Sequence, residues 1–207
     1  MRILMFASLL AATMAQTPAT VRTVPAVDLE RYAGDWFEIA RYPNRFQRKC
    51  AGDVRASYTR RADGRVDVVN RCARADGSVI EARGIAEVTD TRTRASLKVR
   101  FAPAVLSFLP FVWGDYWIIG LGDDYTWAVV GSPDRQYLWI LARTPHLDSA
   151  SFKRAVAAAT ANGFDTSRLI LAPAGGAGVH SVIVPGRAAG ERSCRPEGIP
   201  RRSSSVE

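Results

Sequence analysis

Residues 53–60 (DVRASYTR) and 65–72 (RVDVVNRC) each alternate apolar and polar side chains, and Asp63-Gly64 lies between them. Successive side chains of a strand point to opposite faces, and an Asp-Gly pair readily adopts the positive φ of a tight hairpin turn. The stretch is therefore an antiparallel hairpin with one apolar face, which has to be covered by something else. The same short-period pattern recurs at 36–42, 79–88, 95–101, 115–121, 125–130 and 136–143. The expected fold is all-β: an eight-stranded antiparallel up-and-down β-barrel, since about eight strands close a sheet around one small ligand. One segment breaks the period. Asp148 as N-cap, an apolar stripe of Phe152, Val156 and Ala159, and a stop at Gly163 predict a C-terminal α-helix packed outside the barrel. Residues 169–171 are expected to add a short edge strand before Pro173.

A chain of 207 residues with 47% hydrophobic content supports one domain with a real core. Residues 1–15 (MRILMFASLLAATMA) carry one Arg, an apolar stretch and small residues near the end, the pattern of a signal peptide. Residues 16–27 are expected to be an N-terminal linker, 28–173 the folded domain, and 174–207 a disordered basic tail rich in Gly, Arg, Ser and Pro. Export is the implication, to a periplasm or the extracellular space, with outer-membrane association as an extension. No cysteine stands near the cleavage region, so a lipid anchor on the mature N-terminus is not expected. The net charge of +8 favours acidic partners without choosing among them. Its basic residues are scattered and the aromatics belong mostly to strands, so no nucleic acid partner is expected.

Three motifs in order carry a family resemblance. Gly34-Asp35-Trp36 opening the first strand is similar to the G-x-W motif of lipocalins. Asp123-Asp124-Tyr125 resembles that family's T-D-Y turn between the sixth and seventh strands, and residues 137–143 (YLWILAR) resemble its last strand with a closing arginine. The likeness spans about 28–173 and points to the branch of bacterial outer-membrane, plant temperature-induced and apolipoprotein D-like lipocalins. It implies a calyx that stores or transports a small hydrophobic ligand or lipid, such as a fatty acid or lysophospholipid. Gly34, Trp36, Asp124, Tyr125 and Arg143 are then architecture. Neighbouring first and last strands would lay the Arg143 guanidinium over the Trp36 indole.

Parity along the strands assigns the wall. Expected ligand-binding residues are Glu38, Ala40, Ala56, Tyr58, Val68, Asn70, Leu97, Val99, Phe101, Trp139 and Leu141, with Tyr116, or Trp117 in its place, from the sixth strand, and Phe46 and Phe108 from loops at the mouth. Ala86 and Gly84 belong to the same face. Arg55, Asp67, Arg83, Lys98 and Arg100 face outward. Glu38 and Asn70 are unusual in such a wall, because a buried carboxylate must be paired or hydrogen-bonded. They are expected either to orient a ligand or to bond each other, Tyr58 or water. The basic residues Arg41, Arg45, Arg48 and Lys49 lie near the mouth.

An oxidising compartment favours disulfides over free thiols. Cys50 precedes the second strand and Cys72 ends the third, both near the mouth, so a Cys50–Cys72 bridge is favoured. The alternative joins one of them to Cys194, because lipocalins often tie a C-terminal segment to the barrel. The chain shows no nucleophile elbow and no zinc signature, and its two histidines, His146 and His180, lack partners at ligand spacing. No catalytic residues, metal or cofactors are expected. A calyx enzyme of isomerase type, which needs a free cysteine, and a protein-docking module are the competing functions. The apolar run 107–113 (SFLPFVW) holds Pro110 and falls between the fifth and sixth strands at the open end. It is expected to act as a lid or to make reversible membrane contact.

Overall fold

The computed structural model describes residues 20–106, 109 and 112–173. The proposed signal peptide, the tail with Cys194 and His180, and Phe108 and Phe111 of the mouth loop lie outside the described residues.

Among the described residues nine strands form one antiparallel sheet: β1 (Gly34–Arg41), β2 (Gly52–Arg60), β3 (Val66–Ala73), β4 (Val79–Val88), β5 (Ser96–Arg100), β6 (Trp113–Leu121), β7 (Trp127–Gly131), β8 (Leu138–Ala142) and β9 (Ile170–Leu171). The order is β2-β3-β4-β5-β6-β7-β8-β1-β9, and a further β1–β2 pairing closes the first eight into a barrel. β1 makes the closure by changing partners along its length. Its first half pairs with β2, from Gly34 opposite Tyr58 to Phe37 opposite Arg55. Its second half pairs with β8 on one side and β9 on the other. The short edge strand thus takes the place that β2 vacates.

Helix α2 (Ser149–Ala161) begins at Asp148, whose carboxylate accepts from the Ser151 amide at 2.9 Å, and is followed by Gly163 at φ +75°. It lies outside the barrel and buries Phe152, Ala155 and Ala159 with Ile119, Val129 and Ile140. A second core lies inside the barrel: Trp36, Tyr58, Val66, Val68, Ala86, Leu97 and Val130. The two cores are the two faces of the same strands, which is why β7 reads as an unbroken apolar run.

A four-residue helix, α1 (Leu29–Tyr32), covers one end and has no periodic signal in the sequence. Asp28 caps it, accepting from the Glu30 and Arg31 amides at 2.9 and 3.4 Å. Residues 20–27 lie along the barrel rather than apart from it: Val21 and Val27 are buried, and the Val24 amide donates to the Ile118 carbonyl.

The three family-like motifs meet at this end. Arg143 lies over the Trp36 indole, 4.0 Å from its centroid, and donates to the carbonyls of Asp35 (3.0 Å), Arg31 (2.5 Å) and Tyr125 (3.3 Å). The Asp28 amide donates to the Tyr125 hydroxyl, and the Arg31 guanidinium covers the Tyr125 ring. Asp124 accepts from the amide and hydroxyl of Thr126, holding the turn that leaves Tyr125 at φ +61°. Gly34, at φ +93°, leaves room for Arg143: a Cβ there would come within 3.3 Å of Nη1. This is the closed end.

Candidate ligand-binding site

Inside the barrel is a cavity of about 740 Å³. Of the fourteen residues expected to bind ligand, twelve line it. Glu38 comes from β1, Phe46 from the loop after it, Ala56 and Tyr58 from β2, and Val68 and Asn70 from β3. Leu97 and Val99 come from β5, Phe101 from its end, Tyr116 from β6, and Trp139 and Leu141 from β8. The cross-strand registers explain the agreement: Ala56 stands opposite Asn70 and Tyr58 opposite Val68, so the alternating face is continuous around the wall.

Ala40 is a correction. The register against β8 slips between Glu38 and Ala40, so that Glu38 faces Leu141 while Ala40 faces Ile140. A bulge reverses the parity beyond it. Ala40 is fully buried in the outer core with Ile140 and Phe152 instead of in the calyx. Phe108 falls outside the described residues. Arg100, expected on the outward charged face, is a further correction: it is only 7% exposed. It donates to the Ala102 carbonyl at 2.5 Å and stacks over Trp113, which places it beneath the start of the mouth loop.

The bulge also settles the partners of Glu38. Arg41 reaches back to its carboxylate (Nε to Oε1, 3.0 Å), and Gln47 donates to the other oxygen at 2.5 Å. Burial still raises the Glu38 pKa, against the lowering pull of Gln47 and Arg41. Gln47 also accepts from the Trp139 indole at 3.1 Å and from Asn44 at 2.7 Å. The loop after β1 is thereby tied to the wall by one amide side chain. Neither Asn70 nor Tyr58 takes part in this network. Gln47 was not legible in the sequence, because loop residues follow no period.

At the mouth, Tyr137 stacks on Trp139 (5.8 Å, interplanar angle 7°) and meets the exposed ring of Phe46 at 5.7 Å. Parity could have found Tyr137, which shares the Trp139 face. The Cys50–Cys72 disulfide, with Cα atoms 5.6 Å apart, ties the first mouth loop to β3. Both cysteines line the cavity.

At the closed end, three phenols line the cavity: Tyr32 of α1, Tyr58 and Tyr116. Their hydroxyls form a chain, with Tyr32 and Tyr116 at 2.8 Å and Tyr116 donating to Tyr58 at 2.9 Å. Burial raises all three pKa values, that of Tyr58 to about 12. The phenols are neutral donors and acceptors in an otherwise apolar floor. Among the described residues no group of three or more His, Cys, Asp or Glu side chains is placed to hold a metal ion. A polar hollow outside the calyx, lined by Asn44, Arg45, Asp134, Arg135 and Arg168, contains its own carboxylate among the arginines.

Residues 27–174 match a family model described as Lipocalin-like domain. The chain is 42% identical over 154 residues to "Outer membrane lipoprotein Blc" of Escherichia coli, covering 74% of this chain and 82% of that protein. It is 39% identical over 155 residues to "Temperature-induced lipocalin-1" of Arabidopsis thaliana, with the same coverage of each. Among solved structures, insecticyanin from the tobacco hornworm superposes with a TM-score of 0.58 at 18% identity, covering 74% of this chain and 84% of that one.

Proposed function

The chain belongs to the lipocalin family, which binds small hydrophobic ligands, and from that premise we propose that it is exported and carries a fatty acid or lysophospholipid in its calyx without chemistry. The observation that carries this reading is the 740 Å³ cavity with its apolar wall of Val66, Val68, Leu97, Val99 and Leu141. A single-chain amphiphile fits such a space with its head group at the mouth. There, Glu38 is already neutralised by Arg41, and Arg45 lines the opening. Binding is favoured over catalysis because the two cysteines inside the calyx are joined to each other, which leaves neither as a nucleophile.

A membrane is the source of ligand that fits the mouth. Val105 and Leu106 follow β5 there and are exposed, as is part of Phe101. The apolar run continues toward Phe108 and Phe111. Insertion of these side chains into an interface would gain about 1.5–3 kcal/mol for each one fully removed from water. Arg45, Arg48 and Lys49 would add attraction to anionic head groups.

The test is mass spectrometry of lipid extracted from purified protein, together with displacement of an apolar fluorescent probe by fatty acids and lysophospholipids. Ala56→Trp, which adds an indole to the cavity wall, is expected to abolish probe binding while the far-ultraviolet circular dichroism spectrum stays unchanged. A folded Ala56→Trp variant that binds the probe as the wild type does would overturn the calyx assignment.

A further inference from the structure

The Tyr32–Tyr116–Tyr58 chain has a proton left over. Each phenol donates one hydrogen bond, and two bonds join the three hydroxyls. With Tyr116 donating to Tyr58, Tyr32 must donate to Tyr116, and the third proton sits on Tyr58. Among the described residues nothing accepts it. All three tyrosines line the cavity, on the side of the closed end, and their hydroxyls meet one another there. Tyr58 stands opposite Gly34 at the very start of β1, Tyr116 opposite Leu97 near the start of β5, and Tyr32 packs on Trp36 at 4.9 Å.

We propose that the inner end of the ligand carries a neutral oxygen, a hydroxyl or a ketone, which seats on this tyrosine chain. The inference rests on the calyx reading and names a chemical class for its deeper half. A purely hydrocarbon terminus would leave the Tyr58 O–H buried without an acceptor, a state that folded proteins rarely tolerate. A hydroxyl at that point accepts from Tyr58 and can donate to a lone pair of the chain. A ketone only accepts. A carboxylate does not suit the floor, because the Arg143 guanidinium is already engaged by Trp36 and three carbonyls, and that of Arg60, which also lines the cavity, by Glu30. An unpaired buried charge costs far more than a hydroxyl. The phenols themselves stay protonated far above neutral pH, so their polarity is that of donors and acceptors and not of ions.

The experiment compares saturated fatty acids of 10 to 16 carbons with their ω-hydroxy analogues, as competitors of the same fluorescent probe, on wild type and on Tyr58→Phe/Tyr116→Phe. In wild type at least one ω-hydroxy acid is expected to bind as tightly as its parent or more tightly, although it is the more water-soluble of the two. In the double variant that analogue should weaken tenfold or more relative to its parent, while the parent acid changes less than threefold. Tyr58→Phe alone, which leaves Tyr116 as the terminal donor, should fall between. Phenylalanine keeps the ring packing, and near-ultraviolet circular dichroism reports whether it has done so. If the double variant loses that packing, Tyr58→Phe alone decides: an unchanged ratio of analogue to parent overturns the proposal. The same ratios in wild type and a folded double variant also overturn it. Failure of every acid and analogue to bind wild type would instead remove the calyx reading, and this proposal with it.

Discussion

The Phe101 ring lies directly on the backbone of Gly84: a Cβ at that position would stand 2.7 Å from Phe101 Cδ1 and 2.6 Å from the Arg100 carbonyl oxygen. The pairing of β4 with β5 ends one residue away, at Ile85 opposite Arg100. The chain therefore leaves the sheet by crossing over a glycine, and Phe101 enters the cavity wall from above.

Gly84→Ala must move backbone, not merely a side chain. It is expected to destabilise the protein by about 1–3 kcal/mol, in the range of overpacked sites. Urea unfolding reads the loss, and a variant within error of wild type would show that the β5 exit is loose.

Arg143→Lys keeps the charge but loses the planar fork that reaches several carbonyls and lies flat on Trp36. An ammonium can replace neither function. The expected loss is about 1–3 kcal/mol, since carbonyl groups at the closed end lose a charged donor. The Trp36 environment should change with it, visible in near-ultraviolet circular dichroism. Retention of full stability would mean that the closed end is held by α1 alone.

Glu38 gives stability a pH dependence with a definite sign. Its pKa is raised in the folded state by burial, from an ordinary value of 4.5. The folded protein therefore holds this proton more tightly than the unfolded chain, and stability falls as pH rises from 4.5 to the raised value. Glu38→Gln lacks the titration. The stability of wild type minus that of the variant should become less favourable between acid and neutral pH, measured as urea midpoints at stepped pH. A difference that stays constant would assign the titration elsewhere.

Cys50 and Cys72 close a loop with a sequence separation of 22. Cys50→Ser/Cys72→Ser is expected to cost about 2–4 kcal/mol. Non-reducing peptide mapping checks the pairing independently, and recovery of Cys194 linked to either residue would contradict it.

Val105→Ser/Leu106→Ser tests the mouth at a described position. Wild type is expected to sediment with anionic vesicles more than the variant does at matched salt. Equal partitioning would leave the loop as a cover for the calyx alone.

The alternation of small-period apolar residues determined the strands, their antiparallel order and most of the calyx wall, because a pleated strand ties side-chain direction to position with a period of two. Val68 and Tyr58 face the cavity for that reason alone. Asp148 and Gly163 bounded α2 because a capping carboxylate and a glycine in a positive-φ conformation act locally. Tertiary structure decided the rest wherever that periodicity was broken or absent. The bulge after Glu38 sent Ala40 to the outer core and turned Arg41 back onto the carboxylate, a reversal that no count of residues shows. Gln47 reached Glu38 and Trp139 from an irregular loop, and Tyr32 came from a helix too short to have a period. The hydroxyl chain at the floor joins residues 32, 58 and 116, which share a site because closing the barrel brings α1, β2 and β6 to one end. Long-range closure is a property of the whole sheet, and sequence patterns, being local, record the faces of its strands but not the meeting of their side chains.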